Sequence, residues 1–257
     1  MARHVEEHHP FDSFVHTDSI PSVWCAGCGI GTVVYAFLQA IEEAEINPNK
    51  MCVVSGLGCT GKVSEYLNCK SYSITDGHVI RYAANLSHEK QDLRVVVYSD
   101  NADFLISGAK DFIDTGRRGV NLLVIHINNF FYIITENTVI PATPFVRTSP
   151  DNNFELPFNV PLLAESCGAT YVARWTPFHA GWLKYSMIDV FSRQGFSVIE
   201  IISPCLIYYA DSCRIGDAVE RMKFYNDNSV MKQGESVENL DIRAHDKIIV
   251  GKFVDKK

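Results

Sequence analysis

Arg94-Val95-Val96-Val97-Tyr98 and Asn121-Leu122-Leu123-Val124-Ile125-His126-Ile127 are two short, almost unbroken apolar runs, and Asp103 to Arg117 between them has helical character. Strands buried on both faces read this way, and a helix joining two of them is the crossover of a parallel sheet. The pattern extends in both directions. Upstream, Met51-Cys52-Val53-Val54-Ser55 is another buried strand, preceded by a helix from Gly29 to about Ala44 with Val33, Val34, Phe37, Leu38 and Ile41 at helical spacing. His78 to His88 is helical as well. Downstream come a short helix to Cys167, a strand Thr170 to Arg174, a helix His179 to Arg193 and a strand Phe196 to Ile202, with Gly168 and Gly195 as helix stops. The expected fold class is α/β, a doubly wound, mostly parallel sheet in one domain over residues 1–257. Thr135 to Pro161 reads as irregular and residues 209–246 as a polar, less regular C-terminal segment, before a final strand over Lys247 to Phe253. No internal repeat is visible.

The chain has 257 residues, 47% apolar and 21% charged, enough for a sizeable core. Its formal charge of −7 and the lack of a lysine- or arginine-rich run leave no footprint for a nucleic-acid backbone, so no nucleic-acid partner is expected. No stretch offers the ~18 apolar residues that span a bilayer, and Arg3 to His9 lacks the apolar core of a signal peptide. The expectation is a cytoplasmic protein without a membrane partner. Eight cysteines are too dilute for a disulfide scaffold, and clustered cysteines in a reducing compartment suit metal.

Four of them border glycine- or proline-kinked turns: Trp24-Cys25-Ala26-Gly27-Cys28-Gly29, Gly56-Leu57-Gly58-Cys59-Thr60-Gly61 and Ser203-Pro204-Cys205. Such turns let backbone bend around a cluster and aim N–H groups at its sulfides. On the residues alone, these thiolates suit zinc and iron–sulfur equally. Cys52 and Cys167 lie on apolar faces and read as core, while Cys69 and Cys213, in polar context, are left out of the ligand set. A second polar constellation, Asp100-Asn101-Ala102-Asp103 with Asn128-Asn129, sits at the carboxyl ends of adjacent strands, where open α/β sheets bind ligands and where a few oxygen donors hold Mg²⁺ on a diphosphate. Taken singly, Asp103 reads as the N-cap of the helix that follows, Asn128-Asn129 as a turn, His126 as a satisfied core histidine, and the histidines among residues 4–9 as a solvated tail.

The ordered set of cysteine turns, Asn128-Asn129, and Gly195-Phe196-Ser197-Val198-Ile199-Glu200 closing on Ser203-Pro204-Cys205 resembles the beta subunit of 2-oxoacid:ferredoxin oxidoreductases over most of positions 20–210. The resemblance implies a thiamine diphosphate-binding α/β fold, with Cys25, Cys28, Cys59 and Cys205 as ligands of one [4Fe-4S] cluster. It weights the cysteines toward iron–sulfur over zinc. It places the diphosphate and Mg²⁺ site on Gly29, Gly58, Asp76, His78, Asp100, Asn101, Asp103 and Asn129, with Asn101, Asn129 and Phe131 as the magnesium positions. Asn101 stands where the family has its metal-binding aspartate, and Asp103 keeps the second aspartate of that Gly-Asp-Gly-Asp motif. The sequence departs from the family at three places. Asp100-Asn101-Ala102-Asp103 lacks both glycines and the first aspartate, Asp76-Gly77-His78 stands in place of His-Gly-Arg, and Phe130-Phe131-Tyr132 replaces a glycine-containing run. A neutral asparagine oxygen holds Mg²⁺ less tightly than a carboxylate.

By resemblance, the activity is oxidative decarboxylation of a 2-oxoacid to its acyl-CoA, with electrons leaving through the cluster to ferredoxin. The expected enzyme works only with partner subunits, alpha and in some assemblies gamma and delta, with coenzyme A as co-substrate. The alternative reading is a non-catalytic, cluster-carrying electron-transfer subunit that has lost thiamine chemistry.

Overall fold

A computed structural model describes residues 11–16, 23–135, 138–141, 158–205, 217–243 and 246–256. The histidines of residues 4–9, Cys213, and parts of the 135–161 and 209–246 segments lie outside the described residues. The strands are β1 (Met51–Ser55), β2 (Lys70–Ser73), β3 (Arg94–Asp100), β4 (Leu122–Asn128), β5 (Phe131–Thr135), β6 (Thr138–Pro141), β7 (Tyr171–Trp175), β8 (Phe196–Ile202), β9 (Ser229–Met231) and β10 (Ile248–Asp255). Eight of them form one sheet in the order β2, β1, β3, β4, β8, β7, β10, β9, parallel except where β10 runs antiparallel to β7. β5 and β6 make a separate antiparallel hairpin. The α/β, mostly parallel expectation holds.

Side-chain alternation builds a core on each face. α1 (Ile30–Glu43) and α6 (Ala180–Phe191) pack on one face against Val53, Val96, Tyr98, Ile125 and Ile199. Phe37 of α1 is fully buried and meets Tyr98 and Phe191 edge-on, with centroids 5.7 and 6.1 Å away. Loss of that ring would cost about 3–5 kcal/mol. On the other face, α3 (Val79–Glu89), α4 (Ala109–Arg117) and α5 (Val160–Ser166) cover Val54, Val97, Val124 and Val198. No helix of the described residues is long and apolar enough to cross a membrane.

Several elements differ from the sequence reading: β2 and β9 were not expected, and β6 lies in the Thr135 to Pro161 stretch read as irregular. The expected helix Asp103 to Arg117 is broken into a π-helical turn, Ala102–Ser107, and α4, with Gly108 between them. A Cβ on Gly108 would lie 2.3 Å from the Asp103 carbonyl oxygen, so the break needs glycine. Between β1 and β2 stands α2 (Gly58–Tyr66), which the apolar pattern does not reveal. Within residues 209–246, Ala218–Asp227 is helical, started by a capping box of Asp217 and Glu220.

Candidate active site at the carboxyl edge of the sheet

The order of strand addition reverses between β1 and β3, and the crevice outside their carboxyl ends is the ligand site of such sheets. Five of the segments singled out in the sequence reach this edge. Gly56 to Cys59 follow β1, Asp76-Gly77-His78 follow β2, Asp100 to Asp103 end β3, Asn128-Asn129 end β4, and Ser203 to Cys205 follow β8.

The cysteine turns are bound to one another. Trp24 Nε1 donates to the Cys59 carbonyl at 2.9 Å, and Cys28 N–H donates to the Cys25 carbonyl at 3.0 Å. Ser203 Oγ donates to the Cys28 carbonyl, and Cys205 N–H to the Asn129 carbonyl at 3.1 Å. Gly29, at φ +89°, lets Pro177 and Ser203 approach, because a Cβ there would sit 2.3 Å from Pro177 Cγ. Cys25 and Cys59 are exposed, while Cys28 and Cys205 are half-buried. Burial pushes the Cys28 thiol up to about 11, with the Cys25 and Cys59 thiols adding to the rise, whereas the backbone N–H groups of Ile30 and Gly31 oppose it. α1 has no side-chain N-cap, so its first N–H groups turn to sulfur instead. Burial raises Cys59 too, followed by Cys205, Cys25 and Asp100. Cys28 and Cys59, whose ionisation is opposed by burial and by the neighbouring cysteines, with helix N–H donors at Cys28, fit a cationic cluster core that stabilises thiolates. Among the described residues no group of three or more His, Cys, Asp or Glu is arranged to hold a single metal ion. Cys52 and Cys167 are buried in the cores as expected, and Cys69 is half-buried beside Cys52.

The carboxylates take roles that the sequence does not announce. Asp103 does not cap the helix after it: its Oδ2 accepts the Leu57 N–H at 2.7 Å and caps α2, 46 residues upstream. Gly56 makes room for it, since a Cβ there would fall 1.6 Å from Asp103 Oδ2. The cap of the π-helical turn is Asp100, whose Oδ1 accepts the N–H groups of Ala102 and Asp103 at 3.0 and 3.2 Å. Burial, then the Asp103 charge, raises the Asp100 carboxyl to about 6, and burial raises Asp103. Gly58, at φ +65°, places the start of α2 beside Asp100. Asp76 is exposed and accepts the His78 N–H at 3.0 Å, and the His78 ring pairs with Asp111 of α4 at 2.8 Å.

Asn101 is fully buried and donates its side-chain amide to Asn128 Oδ1 at 3.1 Å, leaving Asn101 Oδ1 buried with no partner among the described residues. An unmatched carbonyl oxygen at this depth is costly unless a donor or cation completes it, which fits a Mg²⁺ ligand. Asp103 Oδ1 is also unmatched. Asn129 is half-buried, and Phe130 after it is buried at φ +60°, a conformation a bulky residue adopts at a cost of about 1–3 kcal/mol. Phe131 then opens β5.

A buried row behind these residues was not foreseen. Ser99, His126, Glu200 and Arg174 stand in register on adjacent strands. Glu200 Oε2 accepts from Arg174 Nε at 2.6 Å, and its Oε1 accepts from the Asn128 amide at 2.8 Å. The signal was in the sequence, a lone charge inside each of two strands that are otherwise uncharged and mostly apolar, Tyr171 to Trp175 and Phe196 to Ile202. His126 is buried as expected but not satisfied, for neither ring nitrogen has a partner among the described residues.

Residues 56–201 match the family described as thiamine pyrophosphate enzyme, C-terminal TPP binding domain. The chain is 35% identical over 251 residues to "2-oxoglutarate synthase subunit KorB" of Methanocaldococcus jannaschii, covering 96% of this chain and 92% of that one. It is 33% identical to the protein of the same name in Methanothermobacter marburgensis, covering 96% and 87%. Identity to "2-oxoacid:ferredoxin oxidoreductase subunit beta" of Saccharolobus solfataricus is 30%, over 72% of this chain and 62% of that one. Its fold is like that of a chain in a solved "2-oxoglutarate:ferredoxin oxidoreductase from Magnetococcus marinus", with a TM-score of 0.79 at 21% identity, covering 99% and 87%. The chain therefore belongs to the beta subunits of 2-oxoacid:ferredoxin oxidoreductases, a subunit family of multi-subunit enzymes built on the thiamine pyrophosphate-binding domain.

Proposed function

We propose that this chain carries thiamine diphosphate, Mg²⁺ and a [4Fe-4S] cluster in a cytoplasmic 2-oxoacid:ferredoxin oxidoreductase, and that 2-oxoglutarate is its 2-oxoacid. The observation that carries this reading is the adjacency of two centres. Asp100 caps the turn that presents Asn101, and its charge also acts on the Cys59 thiol. The segment read as the cofactor site would thus lie beside the cysteines read as the cluster site, which supports a reading in which substrate oxidation and electron transfer are coupled.

Cys25, Cys28, Cys59 and Cys205 would hold the cluster, with N–H groups of Ile30 and Gly31 stabilising thiolate charge. Asn101 Oδ1, Asn129 and Phe131 would hold Mg²⁺, beside Gly58, Asp100 and Asp103. Thiamine diphosphate, when bound, supplies the electron sink for decarboxylation. The chain's own part is to bind and orient. The tight turns at Gly56 and Gly58 keep side-chain bulk away from the crevice, and Asp103 fixes α2 against β3. His78 is held on Asp111 at the crevice margin.

The substrate reading is supported by relatives named 2-oxoglutarate synthase subunit KorB, 31–35% identical over 96% of this chain. Those named by the broader 2-oxoacid activity cover 72–73%. The reaction takes coenzyme A and yields the acyl-CoA, CO₂ and two reducing equivalents for ferredoxin, with alpha and further subunits completing the complex. The test is anaerobic reduction of ferredoxin by the complex isolated with its partner subunits. Reduction that depends on both 2-oxoglutarate and coenzyme A is expected. No reduction with any 2-oxoacid while the cluster is intact would favour the electron-transfer subunit instead.

A further inference from the structure

Arg174, Glu200, Asn128 and Asn101 form one buried hydrogen-bonded chain, and every donor in it points toward Glu200. A carboxylate only accepts, so Asn128 must turn its NH₂ toward Glu200 and its Oδ1 toward Asn101. The Phe130 N–H, donating to the same Oδ1 at 3.3 Å, requires the same orientation. Asn101 must then turn its NH₂ toward Asn128, which leaves its Oδ1 facing away from the chain. The direction follows from donor and acceptor chemistry, not from how an amide is placed.

We propose that the Arg174–Glu200 ion pair is a positioning device that, through Asn128, locks Asn101 with its carbonyl oxygen toward the cofactor's Mg²⁺. This rests on the reading of Asn101 as a magnesium ligand. An aspartate presents an oxygen whichever way its carboxylate turns. An asparagine can turn either an oxygen or an NH₂ to the metal, and only the oxygen binds. The relay supplies orientation where the carboxylate is missing. It also gives the ion pair a purpose, because a pair with both side chains at zero exposure contributes little net stability over an apolar replacement.

The experiment compares Mg²⁺-dependent binding of thiamine diphosphate, by anaerobic calorimetry on the complex freed of that cofactor, in wild type and variants. In Glu200→Gln, Arg174 keeps an acceptor on Oε1, so the new NH₂ faces Asn128 and, working against the Phe130 N–H that still donates to Asn128 Oδ1, turns Asn128 and with it Asn101 out of the orientation that offers oxygen to the metal. Affinity should fall by about 10–100-fold, with iron content near wild type; the melting midpoint falls as well, because the buried Arg174 charge loses its counter-charge. Adding Asn101→Asp to Glu200→Gln should restore binding, because a carboxylate accepts from the reversed Asn128 and still offers oxygen to the metal. A role limited to folding would not be rescued this way. Asn128→Ala, which leaves the ion pair in place, serves if Glu200→Gln does not fold; it should weaken binding, and Asn101→Asp should rescue it. Undiminished affinity in Glu200→Gln or Asn128→Ala, or folded double variants no better than the singles, would overturn the relay. If Asn101→Ala itself binds normally, the magnesium reading fails; if Asn101→Ala loses binding while the relay variants keep it, only the relay fails.

Discussion

The indole N–H of Trp24 donates to the carbonyl of Cys59 at 2.9 Å across 35 residues of sequence. It clasps the first cysteine turn to the start of α2, with the Trp24 ring edge-on to Tyr66 at 5.2 Å. Trp24→Phe keeps the ring and removes the donor, an exposed bond worth about 0.5–1 kcal/mol. Melting should fall by no more than about 4 °C, while iron loss to a chelator accelerates. Unchanged iron loss would show that the two turns are held together by other means.

Cys59→Ser should abolish the brown cluster absorbance and destabilise the fold, since metal-binding free energy is partly folding free energy. Cys69→Ser should keep both, because Cys69 neighbours Cys52 rather than the three cysteine turns. Iron analysis of the two variants checks the ligand assignment. Full iron in Cys59→Ser would break it.

Gly29→Ala puts a methyl 2.3 Å from Pro177 Cγ and 2.7 Å from Ser203 Oγ at φ +89°. Backbone strain alone costs about 1–2 kcal/mol, and the clash adds to it, so the melting midpoint should drop by at least about 4 °C. Gly234→Ala, at φ +71° with nothing within 4 Å, carries only the backbone part and should drop less. Equal shifts would mean that the Pro177 and Ser203 contacts do not matter.

How much of this was readable depends on whether the cause is local. β1 and β8 match their expected spans residue for residue, because a strand buried on both faces is written in its own apolar run. α2 was invisible because it buries Thr60, Gly61 and Ser64 around Val63, and because its N-terminal cap, Asp103, comes from 46 residues away. The same long-range bond, with Asp100 capping the next turn, exchanges the role the sequence suggested for Asp103. The four cysteines were legible because tight turns announce themselves in glycine and proline, whereas the Arg174–Glu200 row needed strand order to become a site.

Burial lowers the His126 imidazole from 6.5 to about 3, and Phe104 stacks on it with centroids 4.4 Å apart. Its register neighbour Glu200 is taken by Arg174 and Asn128. The folded chain keeps His126 neutral while the unfolded chain takes up a proton below 6.5. Stability from this group is therefore complete above the unfolded value and falls as pH drops toward the folded one, by up to about 1.4 kcal/mol per unit. His126→Phe removes two unmatched nitrogens and should flatten that acid limb without loss at neutral pH. Urea midpoints at about pH 7.5 and about pH 5.5 measure it, and an equal acid loss in both proteins would refute it.

A chain that holds an iron–sulfur cluster beside thiamine diphosphate carries both in fixed proportion, and cofactor content measures that proportion. Iron, sulfide, zinc and thiamine are determined on the complex purified anaerobically. About four irons and about four sulfides bound through this chain are expected, with thiamine diphosphate in equal amount to the chain. Zinc in place of iron, or a full complement of iron without thiamine, would contradict it.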